Sequence, residues 1–194
     1  MIFNKQLALS IADALAESGY IIVDDIIDKN LVEDLYQRVL SLEDLTPAQI
    51  GRGNNRQNIT SIRSDRTHWL EGKEHCEDRY LTWMRALQES MNEALYLGIY
   101  EYEAHFAHYQ KDAFYQKHFD VLKGNNSRLL TTVFYLNNCE GGELVIYDEE
   151  TIIEKVTPIQ GRMVIFLSDK FPHEVLPAHS DRYSIAGWFK GRTV

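Results

Sequence analysis

The sequence predicts an α+β protein in which N-terminal helices brace a β-rich core. Apolar residues recur at helical spacing up to about residue 100. Beyond that point, short segments rich in β-branched and aromatic residues alternate with turn signals. A chain of 194 residues can bury one substantial core. We therefore expect a single domain over 1–194, with helical support over about 1–98 and the β core over about 99–194.

Three helices are predicted in the N-terminal half. Asn4 is the expected N-cap of the first, which ends near Gly19, and Asp28 is the expected N-cap of the second. The third covers about residues 76–97, and its stripe of methionine and aromatic residues is assigned to the core. The apolar run 20–23 predicts a short buried strand between the first two helices.

The C-terminal half predicts a series of short strands separated by turns. Such a series is typical of a sandwich, barrel or jelly roll. Among these, a double-stranded β-helix, which is jelly-roll-like, would bring polar residues at the ends of its strands together in one barrel mouth. The predicted strands cover 101–109, 128–136, 143–147, 151–156, 162–167 and 182–190.

Composition and charge argue against several kinds of partner. The net charge of −9 disfavours nucleic acid, because phosphate binding needs a basic surface. No apolar run reaches about 18 residues, and the N-terminus lacks the order of a signal peptide, so we expect no membrane partner. The two cysteines, Cys76 and Cys139, lie far apart without metal-binding spacing, which favours a reducing cytoplasm.

A long polar loop interrupts the helical half. Residues 44–58 contain proline and glycine and show no periodicity, and long ordered loops in compact domains are often functional. Arginines cluster in and just after this loop, and both a solvated surface and a substrate contact remain open for them. The cluster comprises Arg52, Arg56, Arg63 and Arg66.

Two histidines and one carboxylate form the most informative pattern. His118 and Asp120 are two residues apart, so on an extended strand both side chains leave the same face. His173 follows a later predicted strand and completes a two-histidine, one-carboxylate set, which suits non-haem Fe(II) because positions stay open for a co-substrate and O₂. Arg182 follows, and a guanidinium can grip both oxygens of an acid.

The flanking residues resemble one enzyme family. The chain from about 50 to 190 is similar to the Fe(II)/2-oxoglutarate-dependent dioxygenases, and within them to the prolyl hydroxylase branch that includes the oxygen-sensing enzymes and bacterial relatives. The resemblance lies in Ile62-Arg63-Ser64-Asp65, Trp69-Leu70-Glu71-Gly72, Phe134-Tyr135-Leu136-Asn137, Gly141-Gly142-Glu143-Leu144, Pro172-His173-Glu174-Val175 with Pro177, and Arg182 through Trp188.

The resemblance implies a role for each matching residue. His118, Asp120 and His173 would bind iron, and Arg182 would pair with the far carboxylate of 2-oxoglutarate. The loop at about 50–66 would cover the substrate. Tyr135, Tyr109 and Thr131 would contact the co-substrate, whereas Tyr115, Arg128 and Trp188 would surround the target proline. Plain core packing remains open for Tyr135 and Trp188.

The chain departs from the family pattern just after the arginine. Human members of the family carry a hydroxyl residue four positions after the arginine, where this chain has Ala186, and Ser184 gives an Arg-x-Ser pattern instead.

His105 and His108 are three apart on a predicted strand, so they face opposite sides and cannot both ligate one metal. We predict surface or hydrogen-bonded roles for both, as for His68, His75 and His179.

The expected activity is that of a peptidyl-proline 4-dioxygenase. The resemblance implies Fe(II), 2-oxoglutarate and O₂, with ascorbate as reductant, and a protein substrate bearing a target proline, with a translation elongation factor suggested by bacterial relatives. The products would be 4-hydroxyproline, succinate and CO₂. Two alternatives remain open, a dioxygenase acting on a small molecule such as a free amino acid, and a non-catalytic sensor that binds Fe(II) and 2-oxoglutarate.

Overall fold

The structure is a computed structural model that describes residues 4–48, 60–121 and 127–192. Residues 49–59 lie outside this part of the chain, and with them most of the predicted polar loop, including Arg52 and Arg56. In the described ranges no helix combines the length and the apolar character needed to cross a membrane.

Three helices form beside the sheets, at the predicted places. Asn4 accepts hydrogen bonds from the first-turn amides of α1 (Lys5–Glu17), and Asp28 does the same for α2 (Lys29–Leu40). The third helix, α3 (His75–Leu95), buries its methionine and aromatic stripe as expected and ends two residues earlier than predicted. Gly19 follows α1 with φ +85°, the left-handed conformation that glycine adopts readily.

Eleven strands in the described ranges build two antiparallel sheets. The strands are β1 (Tyr20–Val23), β2 (Thr46–Pro47), β3 (Arg66–Trp69), β4 (Ile99–Tyr109), β5 (Tyr115–His118), β6 (Arg128–Tyr135), β7 (Leu144–Asp148), β8 (Thr151–Val156), β9 (Met163–Leu167), β10 (His173–Val175) and β11 (Arg182–Gly191). The larger sheet has the order β1-β9-β6-β11-β4-β3-β2, and the smaller has the order β5-β10-β7-β8.

The two faces of the larger sheet bury different cores. One face packs on the helices, where Leu31, Leu35 and Met84 meet Phe106 and Phe134. The other face belongs to a second cluster that also contains residues of the smaller sheet, such as Ile146 and Val175. Two antiparallel sheets that share one apolar core, with helices on the other face of the larger sheet, confirm the predicted double-stranded β-helix braced by helices.

The sequence did not indicate four of the strands. β2, β3, β5 and β10 have at most four residues each, and they are polar or exposed enough to lack a clear alternating pattern. Long-range pairing forms these strands, as when β3 adds to the edge of β4. β1, β2 and β3 all come from the N-terminal half, so this half contributes strands to the large sheet as well as helices.

A glycine in β11 accommodates a partly buried tyrosine beneath the sheet. The hydroxyl of Tyr102 lies where a Cβ at position 187 would be, so Gly187 is required by the close approach of the two groups. The same hydroxyl lies 3.1 Å from the hydroxyl of Tyr80 and 3.0 Å from Oγ1 of Thr132. This network joins α3 to the helix-facing side of the sheet.

Candidate active site

Neighbouring strands β4 and β11 form the floor of a cavity of about 720 Å³. Side chains alternate along a strand, so every second residue of each strand faces the same side. The two strands are paired, with Arg182 opposite Tyr109 and Ala186 opposite His105. The floor residues are Glu103, His105, Ala107 and Tyr109 of β4, and Arg182, Ser184, Ala186, Trp188 and Lys190 of β11.

The candidate metal-binding side chains meet at the cavity wall. β10 pairs with β5 so that His173 lies directly opposite His118. Nε2 of His118 is 3.7 Å from Oδ1 of Asp120, and Nε2 of His173 is 3.4 Å from Oδ2 of the same carboxylate. One candidate ligand atom from each of the three residues can be chosen so that all three atoms lie within 4.8 Å of one another. β5 ends at His118, so Asp120 lies in the bend after the strand and not on it.

Backbone carbonyls orient both imidazoles. Nδ1 of His118 lies 2.8 Å from the carbonyl oxygen of Gln116, and Nδ1 of His173 lies 3.1 Å from that of Phe171. A carbonyl oxygen only accepts, so each neutral ring carries its proton on Nδ1 and presents the lone pair of Nε2 towards Asp120. Metal-binding histidines are commonly held in this way.

The protonation states suit a cation. Burial, followed by the neighbouring His173, lowers the pKa of His118 to about 3. Burial opposes ionisation of Asp120, but His173, His118 and Arg128 outweigh it and hold the pKa of this carboxyl below its usual range. At neutral pH, His118 is uncharged and Asp120 is ionised, so both offer lone pairs and the set fits Fe(II).

Thr131 has a partner that the sequence did not indicate. It lines the cavity, and its Oγ1 donates to Oδ2 of Asp120 over 2.7 Å. Oγ of Ser168 lies 2.9 Å from the same hydroxyl oxygen, so Ser168 donates to Thr131 in turn. Thr131 therefore holds the carboxylate in place, in addition to any contact with a co-substrate.

We predict that Thr131→Val lowers the affinity for Fe(II) about 10- to 100-fold, because hydrogen bonds to a ligating carboxylate usually have an effect of this size. Valine keeps the shape and removes the donor. Anaerobic titration against a chelating dye measures the dissociation constant. Thr151→Val, on the exposed start of β8, is the control. An unchanged affinity in the Thr131 variant contradicts this role.

Arg182 lies at one end of the cavity floor and is 1% exposed. Its guanidinium carbon is 4.6 Å from the ring centroid of Tyr109 and 4.9 Å from that of Tyr135. Nη1 donates to Oγ of Ser184 over 3.2 Å. The described residues provide no carboxylate partner for Arg182, and Gly142 packs against its side chain, since a Cβ there would lie 2.9 Å from Cδ of the arginine.

Unpaired donors around Arg182 fit the far carboxylate of a dicarboxylic acid. In the described part of the chain, three buried side-chain polar atoms lack a hydrogen bond of good geometry: Nε of Arg182, the hydroxyl of Tyr135 and Nε1 of Trp188. Tyr135 nevertheless neighbours Arg182, and Trp188 neighbours Asp120. Buried donors normally have partners, so such atoms suggest an absent ligand. Burial raises the pKa of Tyr135, which therefore keeps its proton to donate. Two of the three atoms belong to residues predicted to hold 2-oxoglutarate.

Charges at the other end of the floor are neutralised in pairs. The guanidinium carbon of Arg128 lies 3.7 Å from the ring centroid of Trp188, and its Nη2 donates to Glu103 over 3.0 Å. Lys190 lies 2.9 Å from Glu101 and 3.3 Å from Glu103, so two carboxylates balance the two cations. This end offers an aromatic face without an unpaired charge, which suits a neutral ring such as proline.

Tyr115 connects the candidate metal ligands to the segment after the long loop. Its ring stacks on His118, with 3.6 Å between ring centroids. Arg63 lies over the other side of the Tyr115 ring, 4.3 Å from its centroid, and forms a two-bond ion pair with the buried Asp65. Arg63 thus lines the cavity, whereas Arg66 lies outside it and donates to the carbonyl of Leu45.

His105 was predicted only to be a surface or hydrogen-bonded histidine, and in the structure it is hydrogen-bonded and lies on the cavity floor. It faces the cavity and is 5% exposed, whereas His108 faces the other side, as predicted, and stacks on Tyr183. The signal was present, because His105 is four residues from Tyr109 on the same strand and so shares its face. Trp69 and Glu103 also line the cavity and had not been predicted as site residues.

Comparisons with known proteins agree with this geometry. The family model of the 2OG-Fe(II) oxygenase superfamily matches residues 104–190. A prolyl-4-hydroxylase from Pseudomonas putida superposes with a TM-score of 0.86 at 33% identity, over 96% of this chain and all of that one. A prolyl hydroxylase from Trichoplax adhaerens, solved with a hypoxia inducible factor peptide fragment, gives 0.85 at 26% identity, over 96% and 90% of the two chains.

Human Egl nine homolog 1 is 31% identical over 95% of this chain and 47% of its own length. The chain spans about half the length of the curated relatives it matches. The fold, the site and these matches together identify the class of protein as a 2OG-Fe(II) oxygenase domain. The chain belongs to the 2OG-Fe(II) oxygenase superfamily, whose members use Fe(II), 2-oxoglutarate and O₂.

Proposed function

We propose that this protein hydroxylates a prolyl residue of a protein substrate at C4, with 2-oxoglutarate and O₂ as co-substrates and succinate and CO₂ as co-products. One observation carries the proposal: the cavity floor offers at one end a buried arginine that has no carboxylate partner among the described residues, and at the other end an aromatic surface whose neighbouring charges are paired. Arg182 and Trp188 are six residues apart on β11, roughly 20 Å for a strand. The co-substrate and the proline therefore have separate places beside the same candidate metal ligands.

The proposed role of each site residue follows from its position in the cavity. His118, Asp120 and His173 would hold Fe(II), which supplies the redox chemistry that couples O₂ reduction to decarboxylation of 2-oxoglutarate. Arg182 and Tyr135 would fix the far carboxylate through charge-assisted hydrogen bonds. Three further residues would then face the prolyl ring: Tyr115, Arg128 and Trp188.

Trp188 would orient the prolyl ring by apolar contact. Arg128 is held over the indole by Glu103, and together they limit where a bound ring can lie. Most residues of the floor are buried, which limits the contact of water with a substrate bound there. None of these residues is required to move a proton from the proline, since hydroxylation replaces hydrogen with a hydroxyl group at carbon.

The test uses protein loaded anaerobically with Fe(II) and 2-oxoglutarate and then given O₂ and a host-cell lysate. Mass spectrometry is expected to find peptides heavier by one oxygen on a proline. His118→Ala, which removes one candidate metal ligand, is expected to produce none. His108→Ala, on the outer face of β4, is the matched control and is expected to behave like the wild type.

Other results of the same experiment would favour the alternatives. Succinate formation driven by a free amino acid, with no modified protein, would point to a small-molecule dioxygenase. Tight binding of Fe(II) and 2-oxoglutarate without any oxygen-dependent product would point to a sensor. Normal turnover by the His118 variant would overturn the assignment of the metal site.

We also propose a cytoplasmic location, ascorbate as reductant and an elongation factor as substrate. Cys76 and Cys139 are both free thiols, which suits a reducing compartment. Cell fractionation tests the location, and the identity of the hydroxylated lysate protein tests the substrate. Retention of full activity in the absence of ascorbate would count against its role.

A further inference from the structure

His105 is a buried histidine of the cavity floor to which the mechanism above gives no part. It lies on the central strand β4, with Trp69 as its partner on one side and Ala186 on the other. Its ring centroid is 5.2 Å from that of Trp69 and 5.4 Å from that of Trp188. Because Ala186 offers only a methyl group, that side of the imidazole is left open to the cavity.

The hydrogen bond made by His105 decides what the ring offers. Nδ1 lies 3.1 Å from the backbone carbonyl oxygen of Phe106, so the neutral ring carries its proton there. Burial, and then the charge of Arg63, lowers the pKa of His105 to about 4, so the ring is neutral at physiological pH. Nε2 therefore presents a lone pair, and it has no hydrogen-bond partner among the described residues.

A plain core histidine does not account for this placement. Apolar packing between two indoles needs only a ring, and phenylalanine would fill that role without a polar atom at the cavity surface. The nearby cations do not use the lone pair: Arg63 pairs with Asp65, and Arg128 pairs with Glu103. Nε2 of His105 is thus a hydrogen-bond acceptor without a donor among the described residues, and it lies on the part of the floor assigned to the substrate.

We propose that Nε2 of His105 accepts a hydrogen bond from a backbone N–H of the bound peptide. Proline has no N–H, so the donor belongs to a residue that flanks the target proline. The contact fixes the register of the peptide and favours an extended chain over a free amino acid. The inference rests on the proposed prolyl substrate of the same cavity.

The test measures binding without turnover. Protein loaded with Mn(II) and 2-oxoglutarate is used to select ligands from a peptide library with a central proline and randomised flanks. Selected peptides are then remade with single amide-to-ester replacements, which remove one N–H at a time near the proline. Fluorescence anisotropy gives the affinity of each peptide for the wild type and for His105→Phe, His105→Gln and His108→Phe.

One ester is expected to weaken binding to the wild type about five- to tenfold, which is typical of a lost hydrogen bond. His105→Phe should weaken the amide peptide equally and the ester peptide hardly further, because both changes remove the same bond. His105→Gln, which keeps an acceptor, should restore most of the affinity. His108→Phe should match the wild type. Binding of Mn(II) and 2-oxoglutarate should be unchanged in all variants.

Several results would overturn the inference. The first is that the ester and His105→Phe have additive effects on the free energy of peptide binding. The second is that His105→Phe and His105→Gln lose the same amount of peptide affinity. The third is that the wild type selects no peptide. The proposed function is judged separately. Peptides that bind through His105 but gain no oxygen when Fe(II) and O₂ are supplied would leave the contact standing and count against hydroxylation.

Discussion

Asp120→Ala is expected to abolish turnover and to weaken Fe(II) binding by more than about 100-fold, while the protein stays folded. The carboxylate is the only acidic member of the cluster with His118 and His173, and it lies within 3.7 Å of both Nε2 atoms. Loss of a ligand should exceed the roughly 10- to 100-fold effect of losing a group that supports one. Anaerobic metal titration and succinate formation measure the two losses.

Asp181→Ala is the matched control for this variant. Asp181 also pairs with a histidine, since its Oδ1 lies 3.0 Å from Nε2 of His108, but that pair lies on the exposed outer side of β4. We expect wild-type iron affinity and turnover. Circular dichroism should show both variants folded, and retention of tight Fe(II) binding by Asp120→Ala would remove this carboxylate from the metal site.

Arg182→Met is expected to abolish binding of 2-oxoglutarate while leaving the affinity for Fe(II) within about threefold of the wild type. Loss of a two-bond, charge-assisted contact should lower the affinity for the co-substrate about 100-fold or more. In the wild type, 2-oxoglutarate should raise the midpoint of thermal unfolding, because a ligand that binds only the folded state stabilises it. In the variant the midpoint should not change with 2-oxoglutarate.

The ligand-free form of the same variant gives an independent result. Arg182 is buried against Tyr109 and Tyr135 without a carboxylate among the described residues, so its charge lacks the water that would solvate it in the unfolded chain. A methionine of similar length avoids this cost. Arg182→Met is therefore expected to be at least as stable as the wild type when no ligand is bound.

Arg162→Met is the control, because Arg162 is partly exposed and forms an ion pair with Asp24. This variant should bind 2-oxoglutarate normally. Chemical denaturation with and without 2-oxoglutarate compares the three proteins. Parallel loss of iron and co-substrate binding in Arg182→Met would indicate a folding defect and contradict an anchoring role for Arg182.

Local signals made much of the fold predictable. The caps Asn4 and Asp28 and the helical spacing set the helices to within about two residues, because capping and periodicity act over single turns. The longer strands were also found from their composition. β5 and β10 were not, because three or four residues carry little pattern and their pairing joins segments far apart in the chain.

The candidate site was also only partly predictable from the sequence. The residue types and order of His118, Asp120, His173 and Arg182 were readable from the chain, since ligand chemistry depends on side-chain identity. Their spatial arrangement was not readable in full. Asp120 approaches both histidines from a bend beyond β5, and a strand-face argument alone would have placed it differently.

The sequence by itself determined the class of chemistry, through two histidines, one carboxylate and a late arginine in a family-like context. Only the tertiary structure decided which other residues share the cavity. Strand register places Ala186 beside His105 and Trp69 on its other side, and side-chain packing brings Thr131 to Asp120. The physical reason is that register and packing depend on contacts between distant segments, whereas motifs and caps depend on neighbours along the chain.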